Sequence, residues 1–272
     1  MKLKFYKMTG AGNDFILFDN RNGKIKDPVK LAKWVCDRHF GVGADGIILI
    51  EKSKTTDFKM VYFNSDGSFG GMCGNGGRCV AKLAYILGIT KGKITFEANG
   101  KFYKAEILND ENVRLYLPMP KMKKFNLGLK LGKKLFKAHF VDTGAPHLVL
   151  FTDENKIKNI EKINLNDLGR KLRFHPYFEN GTNVNFVTVL NKNTIRMRTY
   201  ERGVEGETLA CGTGSVACAI ASAEIKNMKP PIKVKATSGE ILTVGWNEKN
   251  SEFVYLEGSA KVICEGNLNY DN

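Results

Sequence analysis

Two stretches of the 272-residue chain decide its fold when they are laid side by side: FKMVYFNSDGSFGGMCGNGGRCVAKLAYILG (58–88) and TIRMRTYERGVEGETLACGTGSVACAIASAEI (194–225). Each opens on a β-branched and aromatic run that reads as a strand. Each then crosses a Gly-containing loop and enters an apolar run long enough for a helix. CGNG at Cys73–Gly76 returns as CGTG at Cys211–Gly214, 138 residues later. Further out, ITFEANGKF from Ile94 matches IKVKATSGE from Ile232 at the same offset. After one inserted residue, Tyr116-Leu117 pairs with Tyr255-Leu256. An offset sustained over about sixty residues marks a duplicated α+β unit.

The helix candidates are unusual. The first carries Val80, Ala81, Leu83, Ala84, Ile86 and Leu87; the second carries Val216, Ala217, Ala219, Ile220, Ala221, Ala223 and Ile225. The second is apolar around most of its circumference, which suits a helix buried on nearly all sides. Strand alternation surrounds them, in KFYKAEI (101–107) and VRLYLP (113–118). A sheet curled around one central helix, built twice, is the expected fold. Amphipathic helices are expected at 28–38 and around 164–174, covering the outside of the sheets.

Composition narrows the function classes. The length favours two domains, and 43% hydrophobic residues suffice for real cores. The N-terminus MKLKFYKMTG has no apolar run of signal-peptide length, and no uninterrupted apolar stretch is long enough to span a membrane. A cytoplasmic protein with reduced thiols is expected. No two of the six cysteines have CxxC spacing, so neither a zinc ribbon nor a thioredoxin-like motif is expected. The net charge of +14 invites a nucleic-acid reading. But the segment KMKKFNLGLKLGKKLFK (121–137) holds seven lysines and no acid, and without it the charge falls to +7. It lacks the repeated Arg and interleaved aromatics of a nucleic-acid reader, and a solvated connection between two domains is expected there.

The chemistry sits at the entrance of each central helix. Unpaired N–H groups and the helix dipole favour an anion there, and glycines allow close approach to the backbone. A cysteine at a helix N-terminus gains thiolate character. Cys73 and Cys211 are therefore the reactive candidates, with Cys36, Cys79, Cys218 and Cys264 as bystanders. A single CGxG could be a tight turn with a packing cysteine; two copies in matched contexts argue for function. Two thiols facing each other across an interdomain cleft would suit removal of a proton from one face of a carbon and its return on the other. The helix N-termini would hold the neighbouring carboxylate and the charge that develops on it.

KMTGAGNDFILFD (7–19), FNSDGSFGGMCGNGGRC (63–79), DTGAPHLVL (142–150), GTNVNFV (181–187) and YERGVEGETLACGTGSVA (200–217) resemble, in order and over nearly the whole chain, the motifs of the diaminopimelate epimerase family. The resemblance implies interconversion of LL- and meso-2,6-diaminopimelate without pyridoxal phosphate, metal or other cofactor, in cytosolic lysine and peptidoglycan precursor synthesis. It implies two pseudo-symmetric domains, each a mixed β-sheet wrapped around a central α-helix. The halves would be 1–118, joined by a returning C-terminal strand 263–272, and 119–262. Cys73 and Cys211 match the acid/base cysteines. Gly74, Asn75, Gly212 and Thr213 would hold the reacting carboxylate. Asn13, Asn64, Asn183, Glu201 and Arg202 match substrate contacts, and His147 and Glu201 match residues that tune the cysteines. A homodimer is implied, with no nucleic-acid or membrane partner. Cys73 would be the base for the LL substrate and Cys211 for meso.

Two positions depart from the pattern: Gly46 stands where some members carry a substrate-contacting Gln, and Ala145 where members commonly have Asn. Three rivals remain. A proline or hydroxyproline racemase would leave Arg202 and the Asn set without a distal carboxylate. A PhzF-like isomerase generally lacks the cysteine pair. A basic nucleic-acid module would rest on the lysines of 121–137.

Overall fold

The computed structural model describes residues 2–247 and 251–270. The chain divides into two compact units, Met1–Leu117 with Glu257–Asn272, and Pro118–Leu256. In the first, the strands are β1 (Lys2–Gly10), β2 (Asn13–Asp19), β3 (Gly46–Glu51), β4 (Phe58–Asn64), β5 (Lys93–Ala98), β6 (Lys101–Ile107) and β7 (Asn112–Pro118). The helices α1 (Pro28–Val35) and α2 (Gly74–Ile86) interrupt them. The second holds β8 (Met122–Leu131), β9 (Lys134–Asp142), β10 (Pro146–Phe151), a short helix α3 (Arg170–Arg173), β11 (Asn183–Asn191), β12 (Thr194–Glu201) and β13 (Gly206–Thr208). It continues through α4 (Gly212–Lys226), β14 (Ile232–Lys235) and β15 (Ile241–Gly245). The strand β16 (Phe253–Ser259) contains the unit boundary, and β17 (Lys261–Asn269) belongs to the first unit.

Pairing repeats the same mixed pattern in each unit. In the first, β17-β1-β2-β3-β4-β5-β6 runs antiparallel, antiparallel, parallel, antiparallel, parallel, antiparallel, and β7 adds a further antiparallel strand. In the second, β8-β9-β10-β11-β12-β14-β15 follows the same six steps. Register repeats too: Ile47 faces Phe63 as Val184 faces Tyr200, both strands shifted by 137. The edge strand beside β1 is β17, from the far end of the chain, whereas the one beside β9 is β8, its immediate predecessor.

The central helices answer their composition. α2 packs against β1, β2, β3, β4 and β6, and is buried continuously from Gly74 to Ala84. α4 packs against β9, β10, β11, β12, β14 and β15. Buried hydroxyls on α4 are internally satisfied: Ser215 donates to Cys211 O at 2.8 Å and Ser222 to Cys218 O at 2.7 Å. α1 forms within the stretch expected to be helical, N-capped by the Asp27 carboxylate with Pro28 at its first position. Its Leu31, Ala32 and Val35 share a core with Ile16, Phe18, Ile47 and Leu49. Ile48, on the alternate face of the same strand, lies where a Cβ on Gly76 of α2 would come within 2.8 Å of it.

One expectation holds with a change of pitch and one is corrected. The helix expected around 164–174 forms as a wider π-type turn over Leu165–Gly169 that runs directly into α3. Gly169 lies against Tyr200, 2.8 Å from where its own Cβ would be. Leu165 and Leu172 still cover the outer face, packing on Leu148, Leu150, Val184 and Phe186. The lysine-rich connection is instead the β8–β9 hairpin, with Leu129 facing Phe136. Apolar residues alternate at Phe125, Leu127, Leu129 and Leu131, and this period of two fixes the strand despite the lysines between. Among the described residues, no helix is long and apolar enough to cross a membrane.

Candidate active site

Each unit places a cysteine where its central helix begins. Cys73 is the extended N-cap of α2 and Cys211 the extended N-cap of α4. The other cysteines differ. Burial pushes the Cys36 and Cys79 thiols up to about 12 and raises Cys218 well above the ordinary thiol range, while Cys264 is exposed.

Cys73 is partly exposed, and its Sγ donates to Asn13 Oδ1 at 3.7 Å. The Asn13 amide is oriented by its other end, where Nδ2 donates to the Asp45 carboxylate. Arg38 holds Asp45 in turn, at 2.9 Å. Asn75 Nδ2 also donates to Asn13 Oδ1, at 3.5 Å. Arg78, fully buried one turn into α2, donates to Asn75 Oδ1 at 3.0 Å, to Gly74 O at 3.3 Å and to Ser259 O at 3.4 Å. It thereby fixes which way the Asn75 amide points. Asn64 closes the end of β4: Tyr62 Oη donates to its Oδ1 at 2.7 Å, and its Nδ2 donates to Ser68 Oγ at 2.9 Å. Ser68 Oγ donates on to the Asp66 carboxylate at 2.6 Å.

Gly46 is explained by Tyr62. A Cβ on Gly46 would lie 2.7 Å from one edge of the Tyr62 ring and 2.4 Å from Phe63 O; a Cβ on Gly70 would lie 2.2 Å from the other ring edge. The tyrosine fills the space that a side chain at 46 would need.

In the second unit, Cys211 is 6% exposed, and its Sγ accepts the Gly214 N–H at 3.4 Å. Thr213 Oγ1 lies 3.6 Å from the same sulfur and 3.0 Å from His147 Nε2. His147 is wholly buried at the start of β10. Burial, with a smaller contribution from the Arg202 charge, holds its imidazole down at about 3, so the ring is neutral. Asn185 Nδ2 donates to His147 Nδ1 at 3.2 Å and to Leu148 O at 3.0 Å, while its Oδ1 accepts from Thr199 Oγ1 at 2.9 Å. Asn183 ties β10 to the end of β12: Nδ2 donates to Pro146 O at 2.9 Å, and Oδ1 accepts from Arg202 N at 2.8 Å. The half-buried Glu201 ends β12, and Arg202 follows it, exposed, in the turn to β13. Ala145 lies in the Thr143–Ala145 turn that precedes β10.

Within the first unit, the structure thus joins Asn13, Asn75 and Cys73 by side-chain bonds, with Gly74 opening the helix; Asn64 belongs to a separate network with Tyr62 and Ser68. Within the second it joins His147, Thr213 and Cys211, and links Asn183 to the Arg202 backbone. Sequence reasoning passed over Tyr62, Arg78, Asp45, Asn185 and Thr199. Asn183 and Asn185 are two apart on one strand, so they share a face, and that alternation was readable. The glycines also have a second role. A Cβ on Gly214 would lie 2.7 Å from Asn185 Oδ1 and 3.1 Å from Cys211 Sγ, so this glycine admits protein atoms. Among the described residues, no cluster of three or more His, Cys, Asp or Glu side chains could hold a metal ion.

Comparison with known proteins places this architecture. Proteins of known structure share the fold over nearly the whole chain at low identity. A Bacillus anthracis phenazine biosynthesis protein of the PhzF family superposes with a TM-score of 0.73 at 13% identity, covering 99% of this chain and 100% of that one. A probable proline racemase from Agrobacterium radiobacter gives 0.72 at 14%, covering 99% and 93%. Sequence relatives are much nearer. The diaminopimelate epimerase of Chlorobaculum tepidum is 43% identical over 96% of this chain and 99% of its own length. That of Aquifex aeolicus is 42% identical over 98% of both. The sequence profile named Diaminopimelate epimerase matches residues 5–122 and 139–263, and the chain belongs to the diaminopimelate epimerase family of isomerases.

Proposed function

We propose that this enzyme interconverts LL- and meso-2,6-diaminopimelate by proton transfer between two cysteines, without a cofactor. The observation that carries the reading is the duplication of one device: a cysteine as N-cap of a buried helix, once in each unit. Each half of the chain, 1–118 with 263–272 and 119–262, contributes one cysteine. A thiolate takes the α-proton: the Cα–H bond breaks, an S–H bond forms, and the electron pair moves into the adjacent carboxylate as an enediolate-like charge. The opposite thiol then gives its proton to the other face of the same carbon, which leaves that sulfur as the thiolate. Helix N-terminal N–H groups at Gly74-Asn75 and Gly212-Thr213 hold the carboxylate and stabilise the developing charge. Asn13, Asn64, Asn183, Glu201 and Arg202 hold the rest of the substrate; Arg202 grips a carboxylate bidentately. His147 and Glu201 tune the cysteines. The enzyme works as a homodimer in the cytoplasm, and its product supplies lysine and peptidoglycan precursors.

Epimerisation in D₂O tests the substrate and the mechanism together. LL-Diaminopimelate should gain deuterium at the α-carbon while equilibrating to meso, and Cys73→Ser and Cys211→Ser should each lose most epimerisation. Full epimerisation by either variant would refute the two-thiol mechanism.

A further inference from the structure

The two half-sites repeat one fold but treat their sulfurs differently. At Cys73 no helix N–H caps the side chain, and the sulfur is the donor, to Asn13 Oδ1. That oxygen cannot donate. The Asn13 amide is held in this orientation by the Asp45 carboxylate, which requires the –NH₂ end. A sulfur facing a fixed carbonyl-type acceptor keeps its bond only while protonated.

At Cys211 the directions run the other way. The sulfur accepts the Gly214 N–H. The Thr213 hydroxyl is oriented by a chain of forced choices. Leu148 O accepts from Asn185, and Thr199 donates to its Oδ1, so the Asn185 –NH₂ faces His147 Nδ1. His147 Nδ1 is therefore the acceptor. The buried ring is neutral, so its one proton is on Nε2 and is donated to Thr213 Oγ1. Thr213 then turns its own hydrogen toward Cys211 Sγ. Two donors on one sulfur favour the anion.

We infer that in the unliganded enzyme Cys73 rests as the thiol and Cys211 as the thiolate, with Asn185 a positioning residue that sets this state through His147 and Thr213. Charged and thiol groups in the same unit as each sulfur fit the assignment. The Arg202 charge acts on the His147 pocket and favours an anion there, and Cys218, deeper in α4, stays protonated. At the other half-site Cys79 likewise stays protonated. Arg78 is a cation more than a turn along α2 from Cys73, and it directs donors to Gly74 O, Asn75 Oδ1 and Ser259 O. The low exposure of Cys211 works against an anion, and the two hydrogen bonds with the helix N-terminus offset that burial. The catalytic consequence rests on the proposed two-cysteine reaction: the resting enzyme is ready to use Cys211 as base, and must shift a proton through solvent before using Cys73.

Alkylation of the reduced, full-length enzyme by iodoacetamide, read by peptide mass spectrometry at each cysteine across a pH series, tests the assignment without turnover. Half-maximal labelling of Cys211 should come at a pH lower by about one unit or more than that of Cys73. Labelling of Cys73 at the same or a lower pH would overturn it. Thr213→Val should move the Cys211 profile up by about one unit and leave Cys73 in place. Thr213→Ser should restore it, and Asn185→Ala should imitate Thr213→Val. An unmoved Cys211 profile in folded Thr213→Val would also overturn it. Should a variant not fold, the comparison of the two cysteines in the unaltered chain still decides. Because labelling needs no substrate, loss of the diaminopimelate reading would leave this result standing, and the reverse.

Discussion

Tyr62 shows how one residue takes up the space beside a glycine. It is wedged between Gly46 and Gly70 and hydrogen-bonds Asn64, so a departure visible in sequence only as a missing side chain becomes a filled space with its own bond. With Asn64 in the substrate site as proposed, Tyr62→Phe removes one bond of about 1 kcal/mol. It should raise KM roughly fivefold with little change in kcat, measurable in the same epimerisation assay. Gly46→Gln should destabilise the fold, because its Cβ would meet Phe63 O and the Tyr62 ring before any amide could reach a ligand. The two candidate cysteines were legible as residues from CGNG and CGTG. Their hydrogen-bond directions were not, since those depend on Asp45 and Asn185, which are distant in sequence and chemically unremarkable there.

The central helices, as elements, were legible because a helix buried all round has to be apolar all round. α2 also buries Arg78 and Lys82, which that argument does not anticipate. Leu83 on the same helix is fully buried. Leu83→Ala should cost about 2–5 kcal/mol in a denaturant melt, from lost transfer energy and the cavity left behind. The β8–β9 hairpin was obscured because seven lysines outweighed an alternating Phe-Leu pattern, although only the apolar face decides a strand's register. Several of those lysines have local partners, as in Lys123 with Glu224 and Lys137 with Glu154. Replacing Lys130, Lys133 and Lys134 by Gln should leave turnover unchanged and stability within about 0.5 kcal/mol. Retention of the parent protein on DNA at physiological salt, lost in this variant, would revive the nucleic-acid reading.

At the scale of the whole molecule, buried histidines make stability depend on acid. His147 is held at about 3 and His139 is also lowered, both chiefly by burial. An unfolded histidine titrates near 6.5. The unfolded chain therefore binds more protons between these values, and stability present above about pH 6.5 is lost as pH falls toward 3. Lowered carboxylates at Asp14, Glu154 and Glu207 add to the loss at the acid end. Thermal melts from pH 7 to 4 should show a falling midpoint. In His147→Gln the fall should be shallower over the same range; an equal slope would remove His147 from the account.

The sequence by itself determined the duplication, the buried helices and the cysteine at the head of each, because periodicity, composition and a fixed offset are local or self-referential properties of the chain. The order in which strands pair was decided only in three dimensions. β17 takes the edge beside β1 through contacts that join residue 2 to residue 269, and no local signal encodes such a partner. The difference between the two cysteine environments was likewise tertiary. Equal motifs place equal sulfurs on equal helices; the side chains that neighbouring strands bring against them fix the direction of each hydrogen bond around the two sulfurs.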